Sequence, residues 1–404
     1  MREITAGEIA ARYRYDNPWW SSHSNLPYAD LPGRAYLPQF YKYISMPDPN
    51  RAVVLMGPRR VGKTVLIHHA IYELIDNGVP ANNILYVSVD APVFTGTPLE
   101  HHVKNFIDII QQPGSERLII FLDEVQYLAN WEVHLKSLVD TYPNYKFIVS
   151  GSAAAALRFK SIESGAGRFT DFMLPPLTFA EYLGFIEIEK DLIKADSENQ
   201  RNYIALDIGE LNRHFINYLN FGGYPEAVFS EQIKADPARF IKSDIIDKVL
   251  LRDLPGLYGI RDIQELNRLF TNIAYNTGEE ISLEDLSQKS GVQKNTIVKY
   301  LEYLESAFLI KRIRKVTLAG QRFKRDRHFK VYLTNPSMRA ALFGPVQIDS
   351  EDMGKLAETA VFAQWLHDKT YIESIYYGRW KEAEVDVIGI IEGSPRTIWA
   401  VEIK

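Results

Sequence analysis

Residues 57–64 read GPRRVGKT, a glycine pair followed at once by a lysine and a threonine. This spacing fits G-x-x-x-x-G-K-[ST] without a mismatch. Gly57 and Gly62 let the backbone curl so that, in the stretch opened by Pro58, the N–H groups of Arg59, Arg60, Val61 and Gly62 face one anion, and the following helix N-terminus adds partial positive charge. Lys63 is then expected to reach the β- and γ-phosphates of a nucleoside triphosphate, and Thr64 to ligand Mg2+. Sixty residues on, RLIIFLDE at 117–124 is an apolar strand ending in two acids. Asp123 is expected to hold the hydrated Mg2+, and Glu124 to orient and deprotonate an attacking water. KFIVSGS at 146–152 brings Ser150 and Ser152 to a third strand tip as γ-phosphate sensors. SGAGRF places Arg168 in a glycine-rich loop, where a guanidinium can neutralise transition-state charge, in its own chain or in a second copy.

These groups need a scaffold that brings several strand ends to one edge. From 51 to about 155 the sequence alternates strand and helix: AVVLM, TVLIHHAIYELIDNG, NILYVSVD, a helix near 99–111, RLIIFLDE, WEVHLKSLVD, KFIVSGS. Such alternation predicts a parallel sheet covered by helices, with ligands at the C-terminal strand ends. The short AAAA at 153–156 reads as helix. His68-His69 and His101-His102 lack metal-ligand spacing and read as surface or lid-facing helix residues.

With 404 residues, 24% charged and 46% hydrophobic, the chain is expected to fold as several globular domains. A net charge of −5 confines any nucleic-acid surface to a local patch. The absence of cysteine excludes disulfides and thiolate zinc sites. MREITAGEIA carries acids and no continuous apolar segment, and no apolar run approaches the roughly 20 residues of a membrane span, so a cytoplasmic protein without a membrane partner is expected.

Downstream, helical patterns over 178–260 are broken by FGGYPE. ISLEDLSQKSGVQKNTIVKYLEYLESAFLIKRIRKV then reads helix, turn, helix, strand. Leu283, Leu286, Val292, Ile297, Leu301 and Leu304 stand where two packed helices need them, and Gly291 marks the turn. Lys294, Asn295, Thr296 and Lys299 would lie along the exposed second helix. The segment 311–330 holds nine Lys/Arg against the single acid Asp326, and Arg322, Lys324, Arg325 and Arg327 make it a candidate DNA-backbone contact.

GPRRVGKT, DEVQYLANWEVHLKSLVD, SGS, GAGRF, LPPLTFAEYL and FGGYPEAV follow one another as in a large archaeal and bacterial family of AAA-type ATPases, which this chain resembles from about residue 30 to its end. The NPWW segment near the N-terminus is similar to archaeal members. The resemblance implies an ATP-binding domain of the additional-strand, catalytic-glutamate class, a helical lid, a winged helix and a nuclease-like C-terminal domain. Gln126, Trp131 and Asp140 also match the family's motifs and read as structural. The expected division is an aromatic and proline-rich segment at 1–50 packing on the ATPase, an ATPase core at 51–177, a lid at 178–260, a winged helix at 261–335 and a restriction-endonuclease-like α/β domain at 336–404.

The closing VEIK, with EVDVIGII at 384–391 and the helix beginning GKLAE, resembles a PD-(D/E)xK nuclease core. In that chemistry Asp386 and Glu402, sharing a strand-face pattern with Lys404, would bind a metal with help from Glu358, and Lys404 would stabilise phosphate charge. Relatives continue past this lysine, so the core is expected to be either active or a truncated, degenerate scaffold. The functional expectation is a Mg2+-dependent ATPase coupled to DNA, with a second copy of the chain as a candidate partner. The alternative is a nucleotide-dependent switch that binds protein partners.

Overall fold

The structure is a computed structural model and describes residues 5–22, 26–46, 51–110, 117–152, 167–196, 203–316, 328–368, 373–380, 384–390 and 397–403. The AAAA segment, Arg322, Lys324, Arg325, Arg327 and Lys404 lie outside those residues. The chain divides into two compact units, one comprising residues 1–57 and 62–174, the other 58–61 and 175–404. Among the described residues no helix is long and apolar enough to cross a membrane.

The first unit is built on a parallel sheet of β1 (Ala52–Met56), β2 (Ile84–Ser88), β3 (Ile119–Asp123), β4 (Lys146–Gly151) and β5 (Phe169–Met173), in the order β2-β3-β4-β1-β5. β1, β3 and β4 are buried along their whole length, as continuous apolar runs in a parallel sheet must be. β4 lies between the strand that feeds GPRRVGKT and the strand that ends in Asp123, so the two motif strands are separated in space as they are in sequence. Between the strands run α3 (Lys63–Asp76), α4 (Leu99–Ile110) and α5 (Trp131–Thr141). Ahead of the sheet come α1 (Ala6–Asp16) and α2 (Leu37–Ser45), the first opened by a Thr5/Glu8 capping box.

The N-terminal segment closes an edge of the sheet. β2 is an outer strand, and its outward backbone groups would otherwise invite another strand. Asn17, fully buried, donates from Nδ2 to the Tyr86 carbonyl at 2.9 Å and accepts from the Tyr86 N–H at 2.6 Å. The Trp19 and Trp20 indoles donate to the Ile84 carbonyl at 3.3 and 2.9 Å. An NPWW turn therefore satisfies the groups a sixth strand would have used. At the other edge, Tyr36, Phe40 and Tyr43 set their rings around Phe172 of β5.

The same segment buries histidines expected at the surface. His68 is 4% exposed, with its ring 4.7 Å from that of Tyr86 and 5.9 Å from that of Trp19. His69 Nε2 meets the Tyr28 carbonyl at 2.8 Å, and His102 Nδ1 meets the Tyr13 hydroxyl at 2.7 Å. The helical pattern places these residues correctly on α3 and α4, but it could not show that residues 13–28 cover them.

The second unit contains a six-stranded sheet in the order β13-β12-β11-β9-β10-β8, formed by β8 (Glu280–Ser282), β9 (Ile310–Lys315), β10 (His328–Leu333), β11 (Ile375–Arg379), β12 (Glu384–Ile390) and β13 (Thr397–Val401). β9 and β11 pair in parallel through Tyr376–Arg314 and Tyr377–Lys315. One sheet thus runs across the boundary expected at 335, and the segments on either side of it share backbone hydrogen bonds. The hairpin β6 (Ile193–Ala195) and β7 (Tyr203–Ala205) stands apart from it. Helices α6 (Phe179–Phe185), α7 (Ile208–Phe221), α8 (Ile263–Tyr275), α9 (Leu283–Ser290), α10 (Lys294–Ser306), α11 (Ser337–Phe343) and α12 (Met353–Gln364) complete this unit. The stretch FIKSDIIDKVLL, expected as ordinary helix, forms π-helical turns over Ile241–Asp247 and Val249–Asp253. In FGGYPE, a Cβ on Gly223 would overlap the Asn335 amide, so the close approach requires glycine.

Burial pushes the His68 and His102 imidazoles from 6.5 down to about 4, with the neighbouring histidine adding to each effect. Both are therefore neutral in the fold and protonated in the unfolded chain between those values. Their contribution to stability is complete above pH 6.5 and is lost as pH falls toward 4, at most about 3 kcal/mol for each. Urea unfolding followed from pH 7 to pH 4 should show this loss, and His68→Phe should flatten the profile over that window; an unchanged slope in the variant would contradict the assignment.

Candidate nucleotide-binding site

The loop leaving β1 enters α3 through Gly62, whose φ of 89° lies in the left-handed region. The other left-handed residue of the loop is Arg60, at φ 65°, so the curl is made at Arg60 and Gly62, while Gly57 is not left-handed. Lys63 is 6% exposed and donates to the Gly57 carbonyl at 3.1 Å, which keeps its ammonium at the mouth of the loop.

Asp123, 1% exposed at the end of β3, is the convergence point. Its Oδ2 accepts from Thr64 Oγ1 at 2.8 Å and from the Tyr86 hydroxyl at 2.9 Å. Its Oδ1 accepts from Ser150 Oγ and from the Glu124 N–H, the latter at 3.0 Å. Glu124 adopts a left-handed backbone at φ 59°, which turns its side chain off the strand line. Gln126 donates to Glu124 Oε2 and accepts from the Ser152 N–H at 3.2 Å. Gln126, read from sequence as structural, thus links Glu124 to the β4 tip. Ser152 Oγ is buried and has no hydrogen-bond partner among the described residues.

The structure therefore brings Lys63, Thr64, Asp123, Glu124, Ser150 and Ser152 to the C-terminal edge of one sheet. Ser150 is engaged with Asp123, whereas Ser152 keeps an orphaned hydroxyl at that edge. Sequence reasoning missed Tyr86; the available signal was a phenol within the otherwise apolar run ILYV.

Arg168 is placed elsewhere. Arg168 precedes β5, and its carbonyl accepts from the Ala52 N–H, so it stands at the N-terminal edge of the sheet, about 16 Å of strand from the loop. Its guanidinium pairs with Asp140 at 2.7 Å. A role on its own chain's nucleotide is corrected by that placement. Arg59 and Arg60 keep their places along the phosphate loop, in the stretch 58–61 that is grouped with the second unit. There Arg59 makes a bidentate pair with Asp253, and Arg60 reaches Glu226 and Asp244.

In the second unit, Glu358 and Asp386 do meet, but around a cation the chain supplies. Lys330, whose side chain is 3% exposed, lies 3.1 Å from Glu358, 3.1 Å from Glu384 and 3.0 Å from Asp386. The Tyr332 hydroxyl donates to Glu358 at 2.5 Å, and the Ile403 N–H donates to the other Asp386 oxygen at 3.0 Å. Desolvation alone would lower the Lys330 pKa, but the carboxylates of Glu358 and Asp386 outweigh it and raise it. Burial raises that of Glu358. β13 ends at Val401, and Glu402 is exposed beyond it, while Lys404 lies outside the described residues. Among the described residues no group of three or more His, Cys, Asp or Glu side chains is placed to hold a metal ion. The expected metal cluster of Glu358, Asp386 and Glu402 is corrected to a lysine-centred ion-pair cluster.

The helix–turn–helix forms as expected, with Gly291 left-handed at φ 74° between α9 and α10 and with Leu286, Val292, Ile297, Leu301 and Leu304 buried. Lys299 is exposed, whereas Lys294 pairs with Glu284 at 2.5 Å. Of the basic run, Arg312 pairs with Glu305 and Lys315 with Glu280.

Residues 49–183 match the family described as AAA domain, and residues 212–350 match a domain of unknown function. The chain is 25% identical over 353 residues to an uncharacterised protein of Haemophilus influenzae, spanning 85% of this chain and 81% of that one. It is 23% identical over 350 residues to an uncharacterised protein of Methanocaldococcus jannaschii, spanning 84% and 72%. Among solved structures it is similar to AMPPCP-bound DnaA from Aquifex aeolicus, at 13% identity and a TM-score of 0.31, covering 67% of this chain and 85% of that one. It is likewise similar to C. elegans PCH-2, at 15% identity and a TM-score of 0.31, covering 52% and 64%. The first unit, with its five-stranded parallel sheet and phosphate loop, is thus similar over residues 49–183 to the family described as AAA domain.

Removing the Lys330 charge would leave Glu358 and Asp386 buried without their counterion. Lys330→Met should therefore destabilise the chain by about 3–5 kcal/mol, read as a lower denaturant midpoint; an unchanged midpoint would mean that the cluster contributes nothing to folding.

Proposed function

We propose that this protein binds ATP with Mg2+ and hydrolyses it. The observation that carries the reading is the convergence on Asp123 of the Thr64 hydroxyl from the phosphate loop and the Ser150 hydroxyl from the neighbouring strand, with Glu124 one residue on. The residues fit the substrate and its metal. Lys63 is held at the loop mouth, and Ser152 offers a buried, unused hydroxyl at the same edge. Thr64 and Asp123 would hold Mg2+, which when bound supplies positive charge against the phosphates. Lys63 binds the terminal phosphates, and the loop amides orient them. Glu124, with Oε2 steadied by Gln126, takes the proton of the attacking water.

The second unit is the means by which nucleotide state reaches a partner. Its helix–turn–helix and basic run support a winged-helix contact with DNA through Lys299 and the cations at 322–327, in recombination, repair or defence. One observation favours the second reading, a switch that binds protein. Lys294, Arg312 and Lys315 are already paired with acids, and a lysine occupies the centre of the nuclease-like cluster, which supports a non-cleaving scaffold. Turnover measured with and without single-stranded, duplex and four-way-junction DNA separates the two: stimulation supports DNA, and its absence supports the protein partner.

Lys63→Ala should abolish ATP binding in equilibrium titration. Glu124→Gln should retain binding and lose roughly 10²- to 10⁴-fold in turnover. Normal hydrolysis by Glu124→Gln would remove the general-base role.

A further inference from the structure

Asp123 has more hydrogen-bond donors than the phosphate loop accounts for. Besides Thr64 and Ser150, it receives the phenol of Tyr86, which arrives from β2, the strand next to β3. In that pairing Ser88 stands opposite Asp123 and Tyr86 stands opposite Phe121, so the ring must reach along the sheet toward the strand end to place its hydroxyl 2.9 Å from Oδ2. A tyrosine serving only as core filler does not need that hydroxyl buried against a carboxylate.

We propose that Tyr86 is a positioning residue for the nucleotide-bound metal, holding Asp123 Oδ2 in place from the sheet beside the Thr64 hydroxyl. The inference rests on the ATP reading above and adds a part to it. The Thr64 hydroxyl can keep its proton on Oδ2 while a lone pair faces the cation, so two donors hold that oxygen, one from α3 and one from the sheet. The Ser150 hydroxyl and the Glu124 N–H restrain Oδ1 alone. Without Tyr86, Oδ2 would be held by the Thr64 hydroxyl alone, from α3 and not from the sheet. A phenol suits the task because it presents a single O–H donor on a rigid ring.

The position of Tyr86 is itself fixed from outside the sheet. Its backbone N–H and carbonyl are both held by the Asn17 amide, and its ring packs against His68 of α3. The segment from Asn17 to Trp20 therefore supports the metal-binding acid through one intermediate residue. Partners of metal-binding carboxylates that do not touch the metal commonly change metal affinity by about 10- to 100-fold when removed.

The test is equilibrium binding of a fluorescent ATP analogue to the full chain, once in EDTA and once in Mg2+, for the wild type and Tyr86→Phe. The variant deletes one oxygen and keeps the ring. Wild-type binding should tighten on adding Mg2+. Tyr86→Phe should match the wild type in EDTA but lose about tenfold of the Mg2+-dependent tightening. Equal tightening in both proteins overturns the proposal. So does a variant weakened by the same factor with and without Mg2+, because the phenol would then serve only the fold. A wild type that binds no triphosphate in either buffer would instead defeat the ATP reading itself.

Discussion

A buried carboxylate must be surrounded by donors, and the first unit is organised around satisfying that requirement at Asp123. The acid ends a strand whose five residues are all buried, so water cannot supply its hydrogen bonds. Donors arrive instead from α3, from β2 and from β4, at Thr64, Tyr86 and Ser150. Each comes from a different element, so the carboxylate geometry depends on the order of strands in the sheet. The placement of β4 between β1 and β3 lets Ser150 reach Oδ1 from one side while β2 brings Tyr86 from the other.

The outer strand β2 links this acid to the N-terminus. An edge strand is both a liability and a poor platform, because its outward amides are unsatisfied. Asn17 and the two tryptophans answer those amides with side chains, and their rings and the nearby Tyr28 cover the histidine face of α3. Edge protection, histidine burial and the fixing of Tyr86 are thus one packing arrangement seen from three sides.

The second unit meets a similar electrostatic problem with a different answer. Glu358 and Asp386 are drawn together by α12 and β12, where two carboxylates would repel each other. Lys330 from β10 stands between them; Tyr332 donates to the same Glu358 oxygen as the lysine, and the Ile403 amide takes the remaining Asp386 oxygen. Because β10 belongs to the same sheet as β12, the cluster ties segments on either side of residue 335 into one folded body.

The sequence by itself determined the local chemistry of the first unit. A glycine-bounded loop between an apolar strand and a helix, and an apolar strand ending in Asp123-Glu124, are short-range patterns whose meaning does not depend on distant residues. The alternation of strand and helix likewise implied a parallel sheet, and the helix–turn–helix was legible from the spacing of Leu286 to Leu304. Tertiary structure alone decided which residues meet across long separations. Asn17 and Tyr86 are 69 positions apart, and Lys330 and Asp386 are 56 apart. Arg168 looked available beside its glycines, yet the direction of β5 carries it to the far edge of the sheet. His68 looked exposed because its cover is supplied by residues 19 and 28, which no helical period can reveal. Periodicity reports which face of an element is buried; strand order and chain return, set by packing of the whole unit, report what it is buried against.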